Sequence, residues 1–393
     1  MKITHSTQST LSAFRISTII PRACLVACLV VPLFASAATV EERLDQLEKK
    51  VGTLTQENTA LKKQLGYDAK GNAPAATVVQ GKELKLAFGG FVQTQAEFGD
   101  APDSRFPTAD RFLIRRARIG VKGSFAENFD FVLQSDWGNN SLNSTTGYRA
   151  QLTDAFAVWT KYSFANVTVG QFKVPYGYEQ LLADTKTLFV ERTLPNDQLT
   201  LPRQAGMMVA GLFLDKQLGY AAAVTNGNGN NNSFNDNEQF QYVGRIFGTA
   251  FNRSGVKVTL GADAFTTYDT GTFTGHRTGR AIDAQVSYAG AEIDAELLRT
   301  HFDRDTGVDY DAQGWSLMGS YFIVPNKWQA VLRYESYDPS TLAYADKTTL
   351  RTIGVNYLIK GDDIKLMLDY LVGNTPNTPK HQDRLLCRLQ IVF

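Results

Sequence analysis

Basic residues recur at even spacing in two separated stretches of the chain, Arg116, Arg118 and Lys122 in one and Arg384 and Arg388 in the other. Residues two or four apart share a face of an extended backbone, so each set aligns its charges, and Lys85 adds one from an earlier stretch. Guanidinium groups grip phosphate or carboxylate through paired hydrogen bonds, and ammonium groups hold them as point charges. A set of opposite sign stands elsewhere: Asp263, Asp283 and the alternating Glu292, Asp294 and Glu296. A third basic group, Lys173, Lys186, Arg192 and Arg203, lies in an aperiodic stretch among Glu179, Asp184, Glu191 and Asp197. This is the chemistry of attracting ions. Bond breaking is not expected, because His276, His301 and His381 share no face with a nucleophile, the nearest approach being His301-Phe302-Asp303. No Cys/His cluster suggests a metal, and no cofactor is expected. Asp236 and Asp269, in polar loops, could hold a surface cation, but nothing distinguishes them from solvated loop acids.

The elements that must position these charges follow from composition and period. With 393 residues, 43% hydrophobic and 20% charged, the chain can bury a large apolar surface, and a formal charge of +1 gives no reason to expect a nucleic-acid partner. The 32 Gly, 24 Phe and 16 Tyr lean toward an all-β chain with many turns. No run of 18 apolar residues follows the extreme N-terminus, so a membrane crossing would require a closed barrel, the one all-strand structure that satisfies every backbone group in lipid.

Residues 1–37 read as a secretory signal: Lys2, Arg15 and Arg22 are basic, Ala23 to Phe34 is apolar, and Ala35-Ser36-Ala37 is a small-residue cleavage site. The rival is a lipoprotein box at Leu25 to Cys28, which Arg22 crowds and the continuing apolar run contradicts. After cleavage only Cys387 remains, excluding an internal disulfide. Over residues 40–65, Leu44, Leu47, Val51, Leu54, Asn58, Leu61 and Leu65 form a heptad seam with one polar position, the pattern of a self-associating coiled coil. Residues 66–82, with Gly71 and Pro74, read as a linker.

From residue 83 to 393 the apolar period becomes two. Phe129, Phe131 and Leu133 share a face, as do Leu218, Tyr220, Ala222 and Val224, then Ile293, Ala295 and Leu297 with the acidic row opposite, and finally Leu385, Leu389, Ile391 and Phe393. Sixteen such segments start near residues 83, 110, 127, 152, 166, 206, 217, 240, 255, 279, 291, 311, 327, 348, 363 and 384. Short connections, such as Ala289-Gly290, alternate with long ones, such as Asn226 to Gln239. A soluble β-sandwich also alternates apolar and polar residues, but alternating loop lengths through an even strand count point to a sixteen-stranded antiparallel transmembrane β-barrel. The longest connection, roughly Val174 to Gln204, carries Leu181, Leu182, Leu188, Phe189 and Val190, which need something to pack against. It is expected to fold inward and narrow the interior.

Several motifs then resemble one family. Phe112 to Gly120 (FLIRRARIG) resembles the second-strand motif of the phosphate-selective porin O/P family, and Val169 to Gly177 (VGQFKVPYG) the start of its third loop. Glu191-Arg192-Thr193 and Leu201-Pro202-Arg203 resemble that loop's end, Thr225 to Gly229 (TNGNG) the start of the fourth loop, and the terminal Phe393 an outer-membrane sorting signal. The resemblance covers about Glu83 to Phe393 and implies an outer-membrane homotrimer, set in lipid, that passes small anions such as phosphate, with the coiled coil in the periplasm. An independent count of lumen-facing charge is even, ten basic residues (Arg245, Lys257, Arg333 and Lys365 besides the six of the basic wall) against ten acidic ones (Glu97, Asp130, Asp136, Glu335 and Asp369 besides the five of the acidic wall). The signs are segregated, however, so a basic wall would face an acidic one across the pore and set up a transverse field with little sign preference. Arg115 falls on the lipid-facing parity, which places it at an interface, a bulge or a subunit contact. Alternatives are a weakly selective general diffusion porin, or a tether or adhesin with little transport role.

Overall fold

The computed structural model describes residues 44, 48–53, 55, 77–81, 83–138, 142, 147–343, 346–376 and 382–393. The expected signal peptide, and most of the expected coiled coil and linker, lie outside these residues. Within the coiled-coil stretch, residues 48–53 are helical, and Leu44 and Val51 of the seam are exposed.

In chain order the strands are β1 (Thr77–Gln80), β2 (Leu84–Gly99), β3 (Arg111–Phe125), β4 (Phe129–Asp136), β5 (Gln151–Tyr162), β6 (Ala165–Phe172), β7 (Gln204–Phe213), β8 (Leu218–Thr225) and β9 (Gln241–Arg253). They continue as β10 (Val256–Asp269), β11 (Gly275–Tyr288), β12 (Ala291–Arg304), β13 (Tyr310–Val324), β14 (Trp328–Asp338), β15 (Thr348–Lys360), β16 (Ile364–Asn374) and β17 (Gln382–Val392). Two short helices, α1 (Tyr178–Leu181) and α2 (Leu194–Leu199), interrupt the longest loop. From β2 to β17 every strand pairs antiparallel with the next, and β17 returns to β2 with Arg384 opposite Gly99 and Val392 opposite Phe91. Sixteen strands therefore close on themselves. The tenth expected segment, near 279, begins earlier, at Gly275.

The strand β1 was not expected, because its four residues fell within the stretch read as linker. It pairs with the first residues of β2, Thr77 opposite Phe88 and Gln80 opposite Lys85. Since β3 occupies the other edge of β2, β1 continues the line of β17 along the shared edge.

Two-residue turns close several hairpins. Ser254-Gly255 and Ala289-Gly290 have positive φ at both positions (55° and 81°, 49° and 82°), the type I′ geometry whose twist matches paired strands. The opposite end of the barrel carries the longer loops, although 270–274 and 305–309 are barely longer than turns. Alternation decides which side chains face out: Ile119, Leu133, Ile246, Ile282, Ile293, Leu332 and Ile353 are all exposed on the outer surface. That much exposed apolar area is what a lipid-facing wall requires. Trp159, Tyr162, Phe164, Phe213 and Tyr220 form a chain of ring contacts at the short-turn end, with centroids 5.4–6.4 Å apart, and mark an interface belt.

The packed core lies inside the barrel. Phe172, Val174, Tyr176, Leu199 and Leu201 of the long loop and its start bury against Ala223, Val243, Phe265, Ala281, Leu298 and Ala312 of β8 to β13. Val190 and Leu194 join Phe106, Leu142, Leu350, Met367, Leu371 and Leu386, while Phe189 meets Met318 and Val331. The loop from 173 to 203 thus fills the β8–β17 side of the interior, in agreement with the inward folding expected of it.

Candidate functional site

The loop is seated by both sets of charge. On the acidic side, Gly177 donates its backbone N–H to Asp263 at 2.7 Å and Tyr178 donates to Glu296 at 2.6 Å. Gly177 has φ 84°, and a Cβ there would sit 2.6 Å from Thr200 Cγ2, so only glycine presents its N–H in this way. Asp263 and Asp283 share Arg245, at 2.6 and 2.7 Å. Further along the loop, Val190 N–H donates to Asp369 and Leu194 N–H to Glu335. Glu179 accepts from Thr193 N–H and hydroxyl, tying the two limbs of the loop, and Thr193 caps α2 by accepting from Asn196 N–H.

On the basic side the loop contributes carboxylates and carbonyls. Asp184 pairs with Arg118, with Arg192 at 2.6 Å and with Arg116 at 3.5 Å, while Asp136 steadies Arg118 from behind at 2.7 Å. Glu191 pairs with Arg115 at 2.8 Å and Arg388 at 2.5 Å. The carbonyls of Asp184, Thr185, Thr187, Leu188 and Glu191 accept from Gln93, Gln390, Lys365, Asn356 and Arg333. Burial alone would raise the Asp184 carboxyl, but Arg192, Arg116 and Arg118 hold it well below the usual carboxylate range. Burial opposes ionisation of Glu191 too, and Arg115 and Arg388 overcome it and lower its pKa.

Several sequence expectations change here. Arg115 does not face lipid: between Gln93–Arg116 and Thr94–Ile114 the β2–β3 register slips by one, leaving Arg115 as the extra residue of a bulge, and both Arg115 and Arg116 point inward. The basic and acidic walls do not face each other across water. The loop lies between them, its N–H groups on the acids and its carboxylates on the bases, so the segregated charges form its socket. Arg384 and Arg388 are fully buried and offer no open wall: Arg384 pairs with Glu97 at 3.2 Å and donates to the carbonyls of Gly99, Asp100, Pro107 and Ala109. Lys186 does not reach a constriction; it is 61% exposed and pairs with Asp362 at the turn between β15 and β16. Lys85 is exposed at the short-turn end of β2, Glu292 is half-buried, and Asp294 is buried behind the loop. Parity reasoning passed over Arg105, which bonds Asp103, Asp197 and the Arg192 carbonyl and so clamps the first long loop onto the third. It also passed over Gln93, Gln95 and Gln390, although their alternation on the lumen parity was a usable signal.

What remains open is a cavity of 940 Å³ between the loop and the inner faces of β2 to β7. Its charged lining is Arg118, Lys122, Lys173 and Arg203 against Asp154 and Asp184, with Lys360 and Asp363 at its short-turn mouth. Arg203 pairs with Asp154 at 2.8 Å, and Asp184 is taken by its arginines. Lys122 is exposed to the cavity and makes no ion pair among the described residues. Lys173 donates to the carbonyls of Gln180 and Leu182 and has no carboxylate within ion-pair distance among the described residues. Burial, aided by Arg192, Arg203 and Arg118, pushes its ammonium down to about 7 against the pull of Asp184.

The family model described as phosphate-selective porin O and P matches residues 89–292 and 289–393. Among solved structures, the anion-selective porin from Comamonas acidovorans superposes with a TM-score of 0.60 at 14% identity, covering 79% of this chain and 100% of that one. The outer-membrane expressed OmpT of Vibrio cholerae gives 0.58 at 11% identity (81% and 100% covered), and the outer membrane channel DcaP of Acinetobacter baumannii 0.58 at 13% (80% and 99%). At these identities the likeness is one of fold. No curated protein matches the chain.

Proposed function

This chain belongs to the phosphate-selective porin O and P family, and from that premise we propose that it is an anion-preferring outer-membrane pore whose preference is set by Lys122, Lys173 and the arginines around them. The observation that carries this reading is the unequal pairing inside the cavity. Both wall acids, Asp154 and Asp184, are tied to arginines, whereas Lys122 and Lys173 have no carboxylate partner among the described residues. Cations without counter-charges on a water-filled passage lower the energy of a passing anion and raise that of a cation. Phosphate and similar oxyanions are the proposed solute class, following the family description and the fit of guanidinium and ammonium groups to oxyanion edges. The basic wall of Arg116, Arg118, Arg384 and Arg388 acts indirectly in this reading, by seating the loop that shapes the cavity.

The proposed assembly is a homotrimer, aided by a periplasmic coiled coil over residues 40–65. Exposed Leu44 and Val51 on the described helical residues support it, and one likeness is to a trimer form of OmpT from Vibrio cholerae. Reversal potentials in planar bilayers test the pore: asymmetric KCl is expected to give an anion-selective potential, and phosphate is expected to carry current. A protein that inserts without conducting would leave the tether or adhesin reading. One that conducts without sign preference would leave a general diffusion porin.

A further inference from the structure

Two grooves on the membrane-facing surface of the barrel each end at an arginine without an ion-pair partner among the described residues. The first, 660 Å³, runs over Ala222, Val224, Gly244 and Ala264 and is bounded by Arg280. The second, 450 Å³, runs over Ile293, Leu332, Ile353 and Tyr370 and is bounded by Arg351. Both arginines are exposed, and neither makes an ion pair or hydrogen bond among the described residues; Arg351 lies over the Tyr334 ring, 5.9 Å from its centroid.

Cross-strand register and distance from the long-loop ends of the strands give their place on the wall. Along β10 to β13, one outward row reads Ala262, Ile282, Leu297 and Trp315. Two residues toward the long loops it reads Ala264, Arg280, Arg299 and Gln313, and two further Thr266, Thr278, His301 and Asp311. The change from apolar to polar falls at the row of Arg280. Arg351 stands one row nearer the short turns than Ser336 and Thr349, the polar pair in line with Trp315, but only three residues from the long-loop end of its own strand, β15. An arginine on the lipid side is tolerated at this boundary, where its guanidinium reaches the headgroups, and is disfavoured below it. Arg299, directly opposite Arg280, is paired with Asp311 at 2.7 Å, so the site keeps a net positive charge at the rim of an apolar groove.

We propose that both grooves bind phosphorylated lipids of the outer leaflet, with an acyl chain along the groove and the phosphate on Arg280 or Arg351. The orientation rests on the porin reading, since it places the long loops outside; the binding itself does not depend on conductance. The test is native mass spectrometry of the purified full-length protein in detergent with added lipid A or its dephosphorylated form. Wild type is expected to retain lipid A well above the dephosphorylated lipid. Each neutralisation is expected to lower retention at its own groove about fivefold, from the attraction of one anionic headgroup charge to one surface arginine, so the Arg280→Gln, Arg351→Gln double variant retains about fivefold less lipid A overall. The Arg280→Lys, Arg351→Lys variant is expected to keep most of the binding. Equal retention by wild type and the glutamine variant, or of both lipids by wild type, overturns the proposal. So does dissociation of the oligomer in the glutamine variant, which would make the grooves seats for a second copy of the chain. Neither arginine faces the interior, so unchanged conductance verifies that the variants fold; a wild type that inserts and retains lipid A without conducting would count against the porin reading and leave the lipid sites standing.

Discussion

Lys122→Gln removes an exposed cation of the cavity that has no ion-pair partner among the described residues, and its effect can be worked from elementary electrostatics. Lys122 projects from β3 into the 940 Å³ cavity and has no ion pair among the described residues. An anion passing about 5 Å from an ammonium in water gains roughly 0.8 kcal/mol, and a cation is disfavoured by the same amount. Screening in 0.1 M salt reduces each figure to roughly 0.5 kcal/mol. The gap between the ions is then about 1 kcal/mol, a factor of about five in the anion-to-cation permeability ratio. In 1 M salt the Debye length is about 3 Å, and the same substitution should change the ratio less than twofold. Reversal potentials across KCl gradients at both ionic strengths measure this directly. No shift at low salt, or a shift that does not fade at high salt, would refute the assignment of selectivity to open-lumen charge. Arg384→Gln is the companion measurement: its side chain is fully buried under the first long loop, so it should leave the ratio unchanged.

Other expectations follow from the same geometry. The Lys173 ammonium, pushed down to about 7, loses its charge as pH rises through that value, so reversal potentials should show anion preference falling between about pH 6 and pH 8.5; Lys173→Gln should abolish that slope. Glu191→Gln leaves Arg115 and Arg388 buried without their carboxylate, a loss of about 3 kcal/mol in loop seating that should appear as increased single-channel current noise. The Asp184 and Glu191 carboxyls are held below their ordinary range, so the stability they lend is present above that range and is lost only when pH falls through the lowered values; the extra noise caused by Glu191→Gln should therefore be the same from pH 7 to about pH 4. Deleting residues 40–65 should lower the temperature at which oligomers dissociate on semi-native gels while leaving conductance intact.

Much of the barrel could be read from the chain because alternation is local: a strand facing lipid on one side and water on the other must alternate, and each of the sixteen barrel strands, β2 to β17, starts within four residues of expectation. Charge on the inward parity was equally legible for Arg118, Lys122, Asp263 and Glu296. What opposes each charge was not. Parity assigns a residue to a face and is silent about an aperiodic loop laid against that face, so Arg388 and Asp263 read as walls of water when they are anchors for Glu191 and Gly177. Arg115 shows a different limit: its off-parity charge signals an interface, a bulge or a subunit contact, and nothing in FLIRRARIG selects the bulge that it takes. Arg105 lay in a loop, where no period applies.

The four residues of β1 bear on how the ring is sealed with its strands in the correct frame. Thr77 begins opposite Phe88, while the terminal Phe393 exchanges backbone hydrogen bonds with Gly90. The last strand to be laid down therefore meets an occupied edge where it ends. Sliding β17 two residues toward the short-turn end would drive Phe393 into the space of Thr77, and sliding it the other way would strand Gly90 without its partners. A segment that crosses no membrane thus acts as a stop for the closing seam, fixing the stagger of the whole cylinder at the point where a sheet of free-sliding antiparallel pairs is least constrained.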